Sequence, residues 1–134
     1  MKILIIDADK DFSSRISMSL EKSIDDLEIL TAESYEDGFL ELNEKDPDIV
    51  IFDITMPRFS GMNFLDKINI ISNDSIKIII CNYAFQTFRD ICKRRGADYF
   101  FDKSADIGMI TSIISIIVQD QIKNRPERSI QFMN

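Results

Sequence analysis

No stretch of the sequence approaches the run of about eighteen apolar residues that a membrane-spanning helix needs, so a membrane span is not expected. Cysteine is scarce. Cys81 and Cys92 are the only two in 134 residues, too few for a disulfide framework, and they point to a reducing compartment. Positive charge is also short, with 16 Lys and Arg against 23 Asp and Glu and a formal net charge of −7. Non-specific binding to nucleic acid needs a basic face, and this composition argues against one. No glycine-rich loop follows the first apolar run, which removes the main support for a nucleotide or flavin binder. Internal repeats and low-complexity tracts are missing too. The N-terminus passes straight into Ile3-Leu4-Ile5-Ile6-Asp7 without a small-residue cleavage site, unlike a signal peptide. A single cytoplasmic domain is the expectation.

What is present is an alternation, five times over, of short apolar runs with amphipathic stretches. Ile3-Leu4-Ile5-Ile6, Ile49-Val50-Ile51-Phe52 and Ile78-Ile79-Ile80 are continuous and rich in branched residues, the pattern of strands buried on both faces of a parallel sheet. Leu27 to Thr31 and Tyr99-Phe100-Phe101 read as flanking strands. Phe12, Ile16 and Leu20 make one stripe of a first helix. Ser34 with Asp37 three residues on resembles a capping box that opens a second, and Asp46-Pro47 stops it. Met62, Leu65, Ile68 and Ile71 mark a third helix, and Phe88, Ile91 and Cys92 a fourth that Gly96 closes. Ile107, Ile110, Ile114, Ile117 and Val118 stripe a fifth. The fold class is therefore α/β, a (βα)5 doubly wound parallel sheet with right-handed crossovers. The domain is expected over residues 1–124. Arg125-Pro126 should end the last helix and leave 125–134 as a flexible tail, although Ile130, Phe132 and Met133 are apolar enough to dock.

Ligands of open parallel sheets bind beyond the carboxyl ends of the strands. Those ends carry Asp7 after strand one, Asp53 after strand three, Cys81-Asn82 after strand four and Asp102-Lys103-Ser104 after strand five. Two carboxylates and an ammonium are thus expected to share one crevice. Neighbouring carboxylates repel and gain by sharing a hard cation such as Mg²⁺. With Lys103, the cation would neutralise an incoming phosphoryl group, and Asp53 would serve as the nucleophile that forms an acyl phosphate.

In their order and spacing, three stretches resemble the receiver domains of bacterial and archaeal response regulators. They are Ile5-Ile6-Asp7, then Pro47-Asp48 through Asp53-Ile54-Thr55-Met56-Pro57 with Gly61 four residues later, and Gly96-Ala97-Asp98-Tyr99-Phe100-Phe101-Asp102-Lys103. Cys81-Asn82-Tyr83 and Tyr99 to Ser104 look most like small stand-alone receivers of this family. The resemblance implies strand order 2-1-3-4-5, with Asp53 as phosphoacceptor and Mg²⁺ held by Asp7, Asp53 and the Thr55 backbone carbonyl. It further implies Lys103 on the phosphoryl oxygens and Phe100 as the aromatic switch. A sensor histidine kinase or phosphotransfer protein would be the partner. No catalysis is implied beyond phosphotransfer to Asp53 and loss of the group from it.

Two departures from the family pattern bear on that reading. Receivers usually carry paired acids after strand one, and here the second is Ala8, so Mg²⁺ affinity is expected to fall. Asp9 could substitute only against the alternation that sends successive side chains near a strand end to different sides. Cys81 stands where the family has Ser or Thr, and a thiol is a weak donor. It reads either as a buried small hydrophobe or as a redox-sensitive thiol near Lys103. Ser104 replaces the usual proline. Helix five carries more apolar surface than one buried face needs, so Met109, Ile113 and Ile116 are expected at a protein interface, with cover by the C-terminal tail as the alternative. In the resembling family this helix belongs to the outer face of helix four, strand five and helix five, which implies a homodimer there. Lys93-Arg94-Arg95 ends helix four, where cations suit the helix dipole. The alternative to a phosphorylated switch is a degenerate receiver that binds partners without phosphorylation.

Overall fold

The computed structural model describes residues 1–57, 60–82 and 85–133, and of 124–133 the backbone alone. Five strands, β1 (Lys2–Ile6), β2 (Glu28–Ala32), β3 (Ile49–Asp53), β4 (Ile76–Cys81) and β5 (Tyr99–Asp102), alternate with five helices. The helices are α1 (Lys10–Ser23), α2 (Tyr35–Lys45), α3 (Gly61–Ile71), α4 (Gln86–Arg94) and α5 (Ile107–Met133). All the strand pairings are parallel, in the order β2-β1-β3-β4-β5. Ile5 sits opposite Ile51, Asp53 opposite Ile80, and Cys81 opposite Asp102.

Alternate residues of a strand face opposite sides, and both sides here are covered, which is why the inner strands are apolar throughout. Ile3, Ile5, Ile49, Ile51, Ile78 and Ile80 pack with the stripes of α1 and α5. Leu4, Ile6, Val50, Phe52, Ile79 and Cys81 pack with α2, α3 and α4 on the other side. The stripes are narrower than the sequence suggests. Leu40 and Ile71 are exposed, and Phe64 joins Leu65 and Ile68 as the inward face of α3.

Local chemistry sets the helix boundaries. The Asp9 carboxylate accepts the Phe12 N–H at 3.2 Å, and Ser34 Oγ accepts that of Asp37 at 3.1 Å. Gly96 follows α4 with φ of 101°, a conformation open to glycine, and a Cβ there would lie 2.7 Å from the Asn69 side chain.

The end of α5 corrects the sequence reading. Helical backbone continues through Pro126 to Met133 where a stop and a tail were expected. Proline's fixed φ is compatible with a helix, and its missing N–H removes one ladder bond without forbidding the next turn. The side chains of Ile130, Phe132 and Met133, and Tyr83 of the family-like stretch, lie outside the described residues.

Candidate functional site

The strand order places the carboxyl ends of β1 and β3 side by side, with β4 and then β5 beyond them. Asp7 follows β1 and Asp53 closes β3, and both are buried, at 2% and 6% exposure. Lys103 arrives because its backbone N–H continues the ladder past β5, donating to the Cys81 carbonyl at 2.9 Å. Its ammonium lies 2.7 Å from Asp7 Oδ2 and 3.1 Å from Asp53 Oδ2. It also sits 4.9 Å from the centre of the Phe12 ring, a cation–π approach from the first turn of α1. The three residues singled out at the strand ends therefore converge.

Electrostatics follow from that burial. Burial pushes the Asp7 carboxyl above its ordinary value, and the hydrogen bonds from Lys103 and the Asp9 N–H only partly offset this. Burial alone would lower the Lys103 pKa, yet the two carboxylates hold the ammonium above its ordinary value. The second Asp53 oxygen, Oδ1, is fixed by the Thr55 N–H at 2.8 Å and by Thr55 Oγ1 at 2.7 Å.

The donor set suits a hard cation in kind: Asp7, Asp53 and the Thr55 carbonyl are all oxygen ligands. Beyond its ion pair, Asp7 Oδ2 accepts no hydrogen bond among the described residues, leaving lone pairs for such an ion. In number the set is lean. Among the described residues no three acidic, histidine or cysteine side chains gather at one point. Asp9, next to Ala8, uses its Oδ1 to cap α1. The Ala8 N–H meets Met56 Sδ at 3.2 Å instead.

Cys81 is fully buried in the α2–α4 layer, which also holds Cys92, the placement of a small core hydrophobe. Phe100 packs edge-on against Phe88, with ring centroids 5.9 Å apart, beneath the Arg89 guanidinium at 5.0 Å. Ser104 takes part in its own turn. Its Oγ and N–H bond Asp102 Oδ1 at 2.6 and 2.8 Å, holding that carboxyl below its usual range. On α5, Met109 and Ile116 are 51% and 68% exposed, whereas Ile113 is half-buried against the α1–α5 layer.

One residue of the site was missed in the sequence. The Tyr35 hydroxyl donates to the Asp53 carbonyl at 2.6 Å and accepts the Met56 N–H at 3.3 Å. The only sequence signal is a bulky aromatic at the first position of a capped helix, where solvent exposure is the usual expectation.

The response regulator receiver domain model matches residues 3–115. Among curated proteins, the chain is 32% identical over 68 residues to a protein-glutamate methylesterase/protein-glutamine glutaminase of Oleidesulfovibrio alaskensis, covering 51% of this chain and 18% of that one. It is 27% identical over 118 residues to an uncharacterized transcriptional regulatory protein of Bacillus subtilis, covering 88% and 48%. The chain thus spans about half or less of the curated relatives it matches. Two solved structures share the fold, each at 23% identity. The signal receiver domain of a DNA-binding response regulator from Colwellia psychrerythraea matches with a TM-score of 0.82, over 89% of this chain and 98% of that one. A response regulator receiver domain protein from Methanospirillum hungatei matches at 0.80, over 92% and 97%. The family model covers nearly all of the chain, the strand order is the one the resemblance implied, and the strand-end residues converge: the chain belongs to the receiver domain family of two-component response regulators.

Proposed function

We propose that Asp53 accepts a phosphoryl group from a sensor histidine kinase or phosphotransfer protein, and that protein contacts pass the change on. The observation that carries this reading is the Lys103 ammonium joined to both Asp7 and Asp53 at adjacent strand ends. In the transfer, an Asp53 carboxylate oxygen forms a bond to phosphorus. The donor's P–N bond breaks, and its electron pair returns to the imidazole nitrogen, which stays with the partner. Thr55 holds the Asp53 carboxylate in one orientation beforehand, so little ordering entropy remains to be lost. Lys103 supplies positive charge where the phosphoryl oxygens arrive. A magnesium ion held by Asp7, Asp53 and the Thr55 carbonyl would add charge neutralisation at the same oxygens. Another response regulator of this fold, from Burkholderia pseudomallei, is described with a phosphorylated aspartic acid and a calcium ion (TM-score 0.73, 17% identity, over 90% of this chain and 71% of that one).

The output face in this reading is made by α4, β5 and α5. Tyr99, Met109 and Ile116 are exposed on it, and a homodimer there would cover them, with Ile113 contributing only its edge. This reading puts the chain at work in the cytoplasm, with protein partners rather than nucleic acid or membrane. Among the described residues no helix is long and apolar enough to cross a membrane. A second reading, a receiver fold that binds partners without phosphorylation, draws on Ala8 and on the burial of Cys81.

Incubation with Mg²⁺ and an acyl phosphate, followed by intact mass measurement, separates the two readings. One added phosphoryl group is expected in wild type and none in Asp53→Asn. An adduct absent from wild type but present in Ala8→Asp would establish the degenerate form.

A further inference from the structure

Asp53 to Met56 form a turn, and the Asp53 carbonyl and Met56 N–H are the two groups that would ordinarily bond across it. The Tyr35 hydroxyl bridges them, donating to the first at 2.6 Å and accepting from the second at 3.3 Å. It has little freedom to move. Tyr35 is buried, and its ring stacks on Phe64 with centroids 4.8 Å apart and planes 29° apart.

The Met56 N–H and the Thr55 C=O belong to one planar peptide unit. Whatever holds the N–H also sets the direction of the carbonyl. That carbonyl is the third oxygen of a site in which Ala8 has removed a carboxylate, so its alignment carries a larger share of the binding.

We infer that Tyr35 is a positioning residue for divalent-cation binding, its hydroxyl fixing the Thr55 carbonyl relative to Asp53 through the Thr55–Met56 peptide plane. This rests on the phosphoacceptor reading above, in which Asp7, Asp53 and Thr55 hold the ion.

The test titrates the full chain with Mg²⁺ alone and follows the amide signals of Asp7, Asp53, Thr55 and Met56 by NMR. Tyr35→Phe keeps the ring and removes only the hydroxyl, and its Mg²⁺ dissociation constant is expected to rise about tenfold, the lower range for a lost partner of a metal ligand. Leu42→Ala, a cavity in the same core layer about two helical turns along α2 from Tyr35, should lower Tm and leave the dissociation constant unchanged. Equal Mg²⁺ affinity in wild type and Tyr35→Phe overturns the inference, as does an equal loss in Leu42→Ala. A wild type whose amides ignore Mg²⁺ overturns the metal reading itself, and the two failures are told apart by the wild-type titration.

Discussion

The two core layers differ in chemistry as well as in position. The α1–α5 layer is almost wholly branched aliphatic, with Phe12 the only buried ring among its described residues. The α2–α4 layer holds Phe52, Phe64, Tyr35, Met56, Cys81 and Cys92, with Phe100 packed at its edge. Branched aliphatics have few rotamers and pack stiffly, whereas thioethers and thiols adapt to their surroundings. The softer layer is also the one whose polar atoms reach the crevice backbone, through Tyr35 Oη and Met56 Sδ. In the switch proposed above, the first side would serve as the platform and the second as the route from Asp53 to Phe100 and α4.

The largest disturbance should come from the seam between the layers. Lys103→Ala leaves two buried carboxylates without their cation and should cost about 3–5 kcal/mol at neutral pH, read by urea unfolding. The pH dependence has a definite sign. The Asp7 pKa is already raised above 3.8, so the folded state holds this proton more tightly than the unfolded chain. The penalty in Lys103→Ala should therefore shrink as the pH falls through that region and persist above it. In wild type, Lys103 contributes in the opposite direction: its stabilisation is complete below 10.5 and is lost as the pH rises through its raised folded value.

Next in size is a cavity in the platform. Ile114→Ala should cost about 3 kcal/mol yet leave the phosphorylation yield per folded molecule unchanged. A changed yield would show that the aliphatic layer also relays the signal. In the softer layer, Cys81→Thr exchanges a buried thiol for a hydroxyl, at about 1 kcal/mol if the new group goes unsatisfied. It should raise the yield of the acyl phosphate several-fold in the intact-mass assay. Lost stability without a gain in yield would weaken the contrast between the layers. The smallest effect on folding, under about 0.5 kcal/mol, is expected for the exposed Ile116→Lys. Its readout is size in solution, where a persisting dimer would exclude α5 as the interface.

Most of the framework was legible because each cue was local. Isoleucine runs marked strands buried on both sides, Ser34 and Asp37 marked a helix start, and Gly96 marked an end. Asp7, Asp53 and Lys103 could be joined because strand ends in a parallel sheet have a known neighbourhood. Tyr35 could not, because its partners lie eighteen and twenty-one residues away and meet it only when α2 packs beside the β3–α3 turn. The capping role of Asp9, whose Oδ1 accepts the Phe12 N–H, was likewise not read from the sequence. Pro126 misled for a different reason: a rule about average cost does not settle where one helix ends.

The strand register described above also sets a tolerance. A strand advances about 3.3 Å per residue and turns each side chain to the opposite face. Pairing Ile51 with Ile5 and Ile80 with Asp53 is therefore a ruler whose smallest division is wider than the 2.7 and 3.1 Å spacings at Lys103. A one-residue insertion or deletion in β3 would not detune the site by degrees. It would exchange the two layers' side chains and turn Asp53 away from Lys103 in a single step, so the part of β3 before Asp53 should tolerate a conservative substitution far better than a change in length.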